Sequence, residues 1–374
     1  MSLSLQPGRR GEVALSVREL KVDFHTYAGD VKALEGVNLE VHRGEILGLV
    51  GESGCGKSVT ALAVAGLLPI NAEVVSGEVT LGGKDLLKLG KNQVRTARLK
   101  DIALVFQDPM TYLNPVLSIG LQITESLTSD LKVFADELID ARVNRLEKKG
   151  DRDAKEDSEL ARLREAKTAH RLSNKEGKRL AALRAYDYLR LVRLPEPEKV
   201  FKMYPFELSG GMRQRAMIAM ALVRRPRVLL ADEITTALDV TVQAQILELL
   251  KDLRDKIDAA IILITHDLAV VSEVCDRVAV MYAGSVVEVA DLKEFFLNPK
   301  HPYSKGLMAA VPRPDVAVAN LESIKGSVPD LISPPTGCRF HPRCPYAFDR
   351  CPTFKPPLVE VSPGHTVACL LFGG

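Results

Sequence analysis

Apolar and polar residues alternate through the first part of the chain. Leu15 and Val17 share one phase; Leu20, Val22 and Phe24 share another, and the phase slips once between the two sets. Val37-Asn38-Leu39-Glu40-Val41 alternates without a break. A period of two turns one side of each segment toward a core, so residues 14–50 read as a β-rich start. Ile46-Leu47-Gly48-Leu49-Val50 is different, being apolar throughout, as in a strand buried on both faces. Val228-Leu229-Leu230-Ala231 and Ala260-Ile261-Ile262-Leu263-Ile264 repeat that pattern, and Val59, Ala61, Leu62 and Ala63 have helical character. Strand, loop, helix and further buried strands predict an α/β core with parallel strands.

Between Leu121 and Leu191 the pattern becomes helical. Residues 145–184 are densely charged, yet Leu160, Leu163, Leu180 and Leu183 keep some helical spacing. This predicts a solvated helical hairpin, with a partner-binding arm as the sharper alternative. From Pro312 onward the chain is rich in proline and cysteine and has little periodicity. A loop-built appendage that needs a staple is the expectation there.

Composition adds limits. The 374 residues suffice for one large domain or two to three small ones. A net charge of +2 gives no electrostatic case for nucleic acid. No apolar run reaches the ~18–20 residues needed to span a bilayer, and Met1 to Glu12 lacks the apolar core of a signal peptide. A cytosolic chain is expected, with any membrane role exercised through a partner. Of the six cysteines, Cys55 and Cys275 stand apart, whereas Cys338, Cys344, Cys351 and Cys369 crowd the tail. In a reducing cytosol such a cluster more often holds metal than disulfides.

The chemistry-bearing segments follow the buried strands. Gly51-Glu52-Ser53-Gly54-Cys55-Gly56-Lys57-Ser58 matches G-x-x-x-x-G-K-[ST] in full. Its glycines let backbone N–H groups wrap phosphates at a helix N-terminus, where Val59 follows. Lys57 would neutralise the β- and γ-phosphates and the Ser58 hydroxyl would ligate Mg²⁺; Cys55 fills a free position in the motif. Asp232-Glu233 ends the second apolar strand, where Asp232 would hold Mg²⁺ and Glu233 would polarise the attacking water. His266 follows the third strand, at the sheet edge where open α/β folds bind ligands, and would contact the γ-phosphate. Gln107 follows the short apolar stretch from Ile102 to Val105, within reach of Mg²⁺ or the water.

Together with Leu208-Ser209-Gly210-Gly211-Met212, Thr236-Ala237-Leu238-Asp239 and Gln107, these segments resemble the ATP-binding subunits of ATP-binding-cassette (ABC) transporters over roughly residues 14–290. The resemblance implies an ABC cassette of the P-loop NTPase, RecA-like α/β class. It would carry an antiparallel β subdomain, a helical subdomain at about 108–215 with a charged insertion, and a small cysteine-containing C-terminal extension. The cassette would span 12–290 and the extension 291–374. Ser209, Gly210 and Gly211 would then grip the γ-phosphate of ATP held by an opposing subunit. Asp239 would lie in the loop crossing that interface, and Tyr27 would stack on adenine.

Phe106-Gln107-Asp108-Pro109-Met110-Thr111-Tyr112-Leu113-Asn114-Pro115, His301-Pro302-Tyr303 and the tail from Pro334 to Cys344 are similar to dipeptide, oligopeptide and nickel importer ATPases. By chemistry alone, four thiolates suit Zn²⁺ or an Fe–S cluster equally. The resemblance implies a [4Fe–4S] cluster on Cys338, Cys344, Cys351 and Cys369. It also implies a heterodimer with a second, related ATP-binding subunit, two transmembrane permease subunits, an extracytoplasmic solute-binding protein and a peripheral place at the cytoplasmic face of the inner membrane. Peptide import is the expected function. Nickel or glutathione import, or a soluble non-transport ABC ATPase, are the alternatives. Two features depart from the family: Ile234 stands where proline is usual, and the insertion at 145–184 is long.

Overall fold

The computed structural model describes residues 11–169, 171–236, 238–257, 259–310 and 324–373. The N-terminal segment through Arg10, Ala237 and Pro312 with the start of the tail lie outside the described residues. Twelve strands form among the described residues: β1 (Val13–Thr26), β2 (Gly29–His42), β3 (Ile46–Val50), β4 (Ala72–Leu81), β5 (Lys84–Asp85), β6 (Ile102–Val105), β7 (Val228–Asp232), β8 (Ala260–Thr265), β9 (Arg277–Tyr282), β10 (Ser285–Asp291), β11 (Val359–Ser362) and β12 (His365–Val367). The chain divides into two compact units.

The first unit comprises Met1–Arg98, Arg227–Glu233 and Leu250–Gly374. It holds an antiparallel sheet in the order β2-β1-β4-β5 and, within this unit, the strand run β11-β12-β10-β9-β3-β8-β7 of a second sheet. The phase slip in β1 is a bulge. Its register against β2 shifts between Val17 and Leu20, and Glu19 takes a left-handed φ of 46°. The extra residue turns Leu20 and Val22 back into the core, where both are fully buried. In the second sheet, β3 runs parallel to β8 and β9, and β7 runs parallel to β8. Every residue of β3 and β8 is buried, which accounts for their unbroken apolar runs. The cysteine-bearing tail adds β11 and β12 to this sheet through β10.

The second unit comprises Leu99–Pro226 and Ile234–Leu249 and is mostly helical. The charged stretch is more than a solvated hairpin. Helix Leu131–Lys148 packs against both Ala154–Thr168 and Asn174–Leu191. Leu146, Leu160, Leu163 and Leu180 are buried in this layer. A capping box, Asp153 with Glu156, starts the middle helix. The charges pair between helices: Glu159 accepts from Arg142 at 2.7 and 2.9 Å and from Arg179 at 2.6 Å. Lys149–Glu156, Arg164–Glu147, Arg145–Asp187 and Lys167–Asp140 are further ion pairs. Sequence charge density alone did not reveal that these residues neutralise one another.

Candidate nucleotide site

The phosphate-loop motif joins β3 to helix Lys57–Ala65 in the first unit. Gly51 sits at φ 154°, and a Cβ there would meet the Met281 carbonyl oxygen at 2.1 Å. No other residue fits the first position of the loop. The helix has no side-chain N-cap, so its first-turn N–H groups are left for an anion. Lys57 Nζ curls back over the loop, donating to the carbonyl oxygens of Gly51 (2.8 Å) and Glu52 (3.0 Å). Cys55 is fully buried beneath it, its Sγ 3.8 Å from Lys57 Nζ.

The ends of β7 and β8 bring the expected acids and histidine into the same unit. The Ser58 hydroxyl hydrogen-bonds the Asp232 carboxylate. Burial raises the Asp232 carboxyl above the ordinary range, and the Ser58 bond offsets this in part. The other oxygen, Oδ1, is buried with no hydrogen-bond partner. A buried carboxylate oxygen with an idle lone pair, beside a hydroxyl, is a donor set that suits a hard divalent cation. Glu233 adopts φ 48°, a left-handed backbone that costs a non-glycine residue on the order of 1–3 kcal/mol. Its N–H donates to the Ile264 carbonyl at 2.9 Å, and its Oε1 lies 3.2 Å from His266 Nδ1. The strained backbone therefore aims an acid at a histidine from the neighbouring strand. Tyr27 belongs to this unit too, fully exposed at the turn between β1 and β2.

The second unit carries the remaining candidates. Gln107 is exposed just after β6, and Asp108 caps the short helix Pro109–Tyr112 that follows. Ser209 caps helix Gly210–Leu222, its Oγ accepting from the Met212 N–H at 3.3 Å. A Cβ on Gly211 would meet Val242 Cγ1 at 2.6 Å, so only glycine lets this helix start lie against helix Val240–Ile257. Asp239 Oδ1 accepts from the Val242 N–H at 2.9 Å, fixing the loop before that helix. Ile234 is buried, where its apolar side chain replaces the usual proline without exposing a polar group.

Two contacts to the phosphate loop have no motif in the sequence that signals them. Glu52 donates its N–H to the Tyr303 hydroxyl at 2.9 Å, and its carboxylate binds Arg343 through both oxygens at 2.6 and 3.0 Å. Both partners come from the C-terminal extension. Tyr303 was legible as part of His301-Pro302-Tyr303 but carried no signal that it reached the loop.

Cys338, Cys344, Cys351 and Cys369 are free thiols lining one small cavity with His301, Phe340 and His341. Burial pushes the Cys338 thiol up to about 11 and raises Cys344 and Cys369 as well. Among the described residues, however, no group of three or more His, Cys, Asp or Glu side chains stands so as to hold a metal ion. The convergence of thiols is therefore a finding; the expected [4Fe–4S] or Zn²⁺ occupant gains no support from their geometry.

Comparison with known proteins fits this arrangement. Residues 34–236 match the family model described as ABC transporter, and residues 287–351 match "Oligopeptide/dipeptide transporter, C-terminal region". The dipeptide transport ATP-binding protein DppD of Bacillus subtilis is 44% identical, covering 96% of this chain and 95% of that protein. The oligopeptide transport ATP-binding protein OppD of Escherichia coli is 42% identical, over 96% of this chain and 94% of that protein. Among solved structures, cbiO1 from Clostridium perfringens, part of the ABC transporter complex cbiONQ, superposes with a TM-score of 0.55 at 25% identity, over 77% of this chain and 92% of that one. The dimeric bacterial cassette MJ0796 gives the same TM-score at 24% identity, over 74% of this chain and 98% of that one, a likeness of fold. The chain belongs to the ABC transporter family, as an ATP-binding subunit of its oligopeptide/dipeptide transporter class.

Proposed function

We propose that this chain hydrolyses ATP to power peptide import. The observation that carries the reading is the cluster in the first unit: Lys57 over the glycine loop, Ser58 on Asp232, and Glu233 facing His266. Lys57 neutralises the β- and γ-phosphates, and the loop N–H groups of Gly51, Ser53, Gly54, Gly56 and Val59 surround them. Ser58 and Asp232 would hold Mg²⁺, which when bound offsets the charge of the phosphate oxygens; Gln107 is the candidate of the second unit for Mg²⁺ or the water. Glu233 orients and deprotonates the attacking water, and His266 holds the γ-phosphate end of the site. Tyr27 is the candidate for adenine stacking.

Ser209, Gly210 and Gly211 lie at a helix start that would take the γ-phosphate of a nucleotide carried by an opposing subunit, with Asp239 at the crossing. The assembly we infer pairs this chain with a second, related ATP-binding subunit as a heterodimer. Two permease subunits and an extracytoplasmic solute-binding protein complete it, at the cytoplasmic face of the inner membrane. Among the described residues no helix is long and apolar enough to cross a membrane. The domain limits that suit it are 12–290 for the cassette and 291–374 for the extension. Relatives named as dipeptide and oligopeptide transport proteins support a peptide substrate.

ATP-dependent uptake of a labelled dipeptide and a labelled tetrapeptide into vesicles bearing the whole transporter tests this. Uptake that needs ATP and this chain supports it; uptake of neither peptide, or uptake that persists without this chain, contradicts it. For the tail, we propose a [4Fe–4S] cluster on Cys338, Cys344, Cys351 and Cys369, with Zn²⁺ as the alternative, from the likeness of the tail to importer ATPases and not from the thiol geometry. Protein purified without oxygen should be brown, with broad visible absorbance that Cys344→Ser removes. A colourless protein carrying stoichiometric zinc would overturn the cluster assignment.

A further inference from the structure

Glu52 is an acid within a loop built to receive a triphosphate. A free carboxylate there would repel the ligand, since two unit charges several ångströms apart interact at the level of kcal/mol in a partly desolvated site. The structure shows what restrains it. Arg343 Nη1 and Nη2 bind both carboxylate oxygens, at 2.6 and 3.0 Å, and the Arg343 side chain is only 5% exposed. The guanidinium is itself fixed. Its Nε donates to the Lys325 carbonyl at 3.1 Å, and it lies 5.7 Å from the Tyr282 ring centroid. It projects from the short turn His341–Arg343 between Cys338 and Cys344. His341 N–H donates to the Cys338 carbonyl and Cys344 N–H to the His341 carbonyl. Meanwhile Tyr303 holds the Glu52 N–H, and the Glu52 carbonyl accepts from Lys57 Nζ at 3.0 Å. One loop residue thus joins the extension to the phosphate-binding lysine.

We infer that Arg343 is a positioning residue for nucleotide binding: it neutralises Glu52 and holds it away from the incoming phosphates, so that the C-terminal extension sets the ATP affinity of the loop. The inference rests on the reading of Gly51–Ser58 as the ATP phosphate loop. Its test is the equilibrium affinity of the full chain for a non-hydrolysable ATP analogue with Mg²⁺, measured by calorimetry beside thermal melting. Arg343→Ala should weaken binding roughly tenfold, as one uncompensated charge near a polyphosphate would. Arg343→Gln, which keeps the size of the side chain, should weaken it in the same direction and covers the case in which Arg343→Ala does not fold. Adding Glu52→Gln to either variant should recover most of the loss, because the charge being neutralised is gone. A merely structural role for Arg343 would show no such recovery. Affinity within twofold of wild type in a folded Arg343 variant overturns the inference, as does a double variant that binds no better than the single one. Wild-type protein that does not bind the analogue overturns the phosphate-loop reading itself, and this inference with it.

Discussion

Asp232 carries a conflict that only a ligand resolves. Its carboxylate is buried, one oxygen is taken by Ser58, and the other has no partner. Burying an ionised group without full compensation costs stability. Because the folded-state pKa is raised, that cost is present at neutral pH and fades as pH falls toward the carboxyl's own range. Nucleotide-free Asp232→Asn should therefore melt at the wild-type temperature or higher, while its ATP hydrolysis drops at least about 100-fold. Calorimetric melting and steady-state turnover on the same preparation check both halves. A variant that melts well below wild type would mean that the carboxylate serves the fold rather than the cation. Glu233, with its left-handed backbone, is the second residue that carries a local cost.

At the scale of elements, the charged insertion behaves as a packed layer whose ionic contacts are unequal. Exposed pairs such as Arg164–Glu147 contribute little each. Glu159 is different: Arg142 first, then Arg179, hold its carboxyl down at about 2, below its ordinary 4.5. A depressed folded-state pKa contributes stability above about 4.5 and loses it as pH falls toward 2. Melting of wild type should therefore fall across that window more steeply than melting of Glu159→Gln, which should already be lower at pH 7. Parallel pH profiles for the two would refute this pairing. The same insertion marks what sequence could and could not give. Leucine spacing and charge density pointed to helices, but which helix faces which, and that Glu159 bridges two of them, depends on contacts 17 and 20 residues apart. The β1 phase slip, by contrast, was visible as sequence and is a bulge at Glu19. The strand ends bearing Asp232, Glu233 and His266 were equally legible, because a polar residue after a wholly apolar run has few other reasons to be there.

For the whole molecule, the central point is a division of labour. One unit assembles phosphate loop, acid pair and histidine; the other presents Ser209, Gly210 and Gly211 at a helix start. The extension then reaches the loop through Arg343 and Tyr303, contacts that no motif announced because they depend on side chains 291 and 251 residues away in the chain. The family motifs supply the parts; the structure adds the link from the tail to Glu52. ATP hydrolysis by the assembled transporter carrying Glu233→Gln tests the account most directly. Its kcat should fall at least about 100-fold with nucleotide affinity retained, because the general base is lost and the phosphate loop is not. Hydrolysis at the wild-type rate would contradict it.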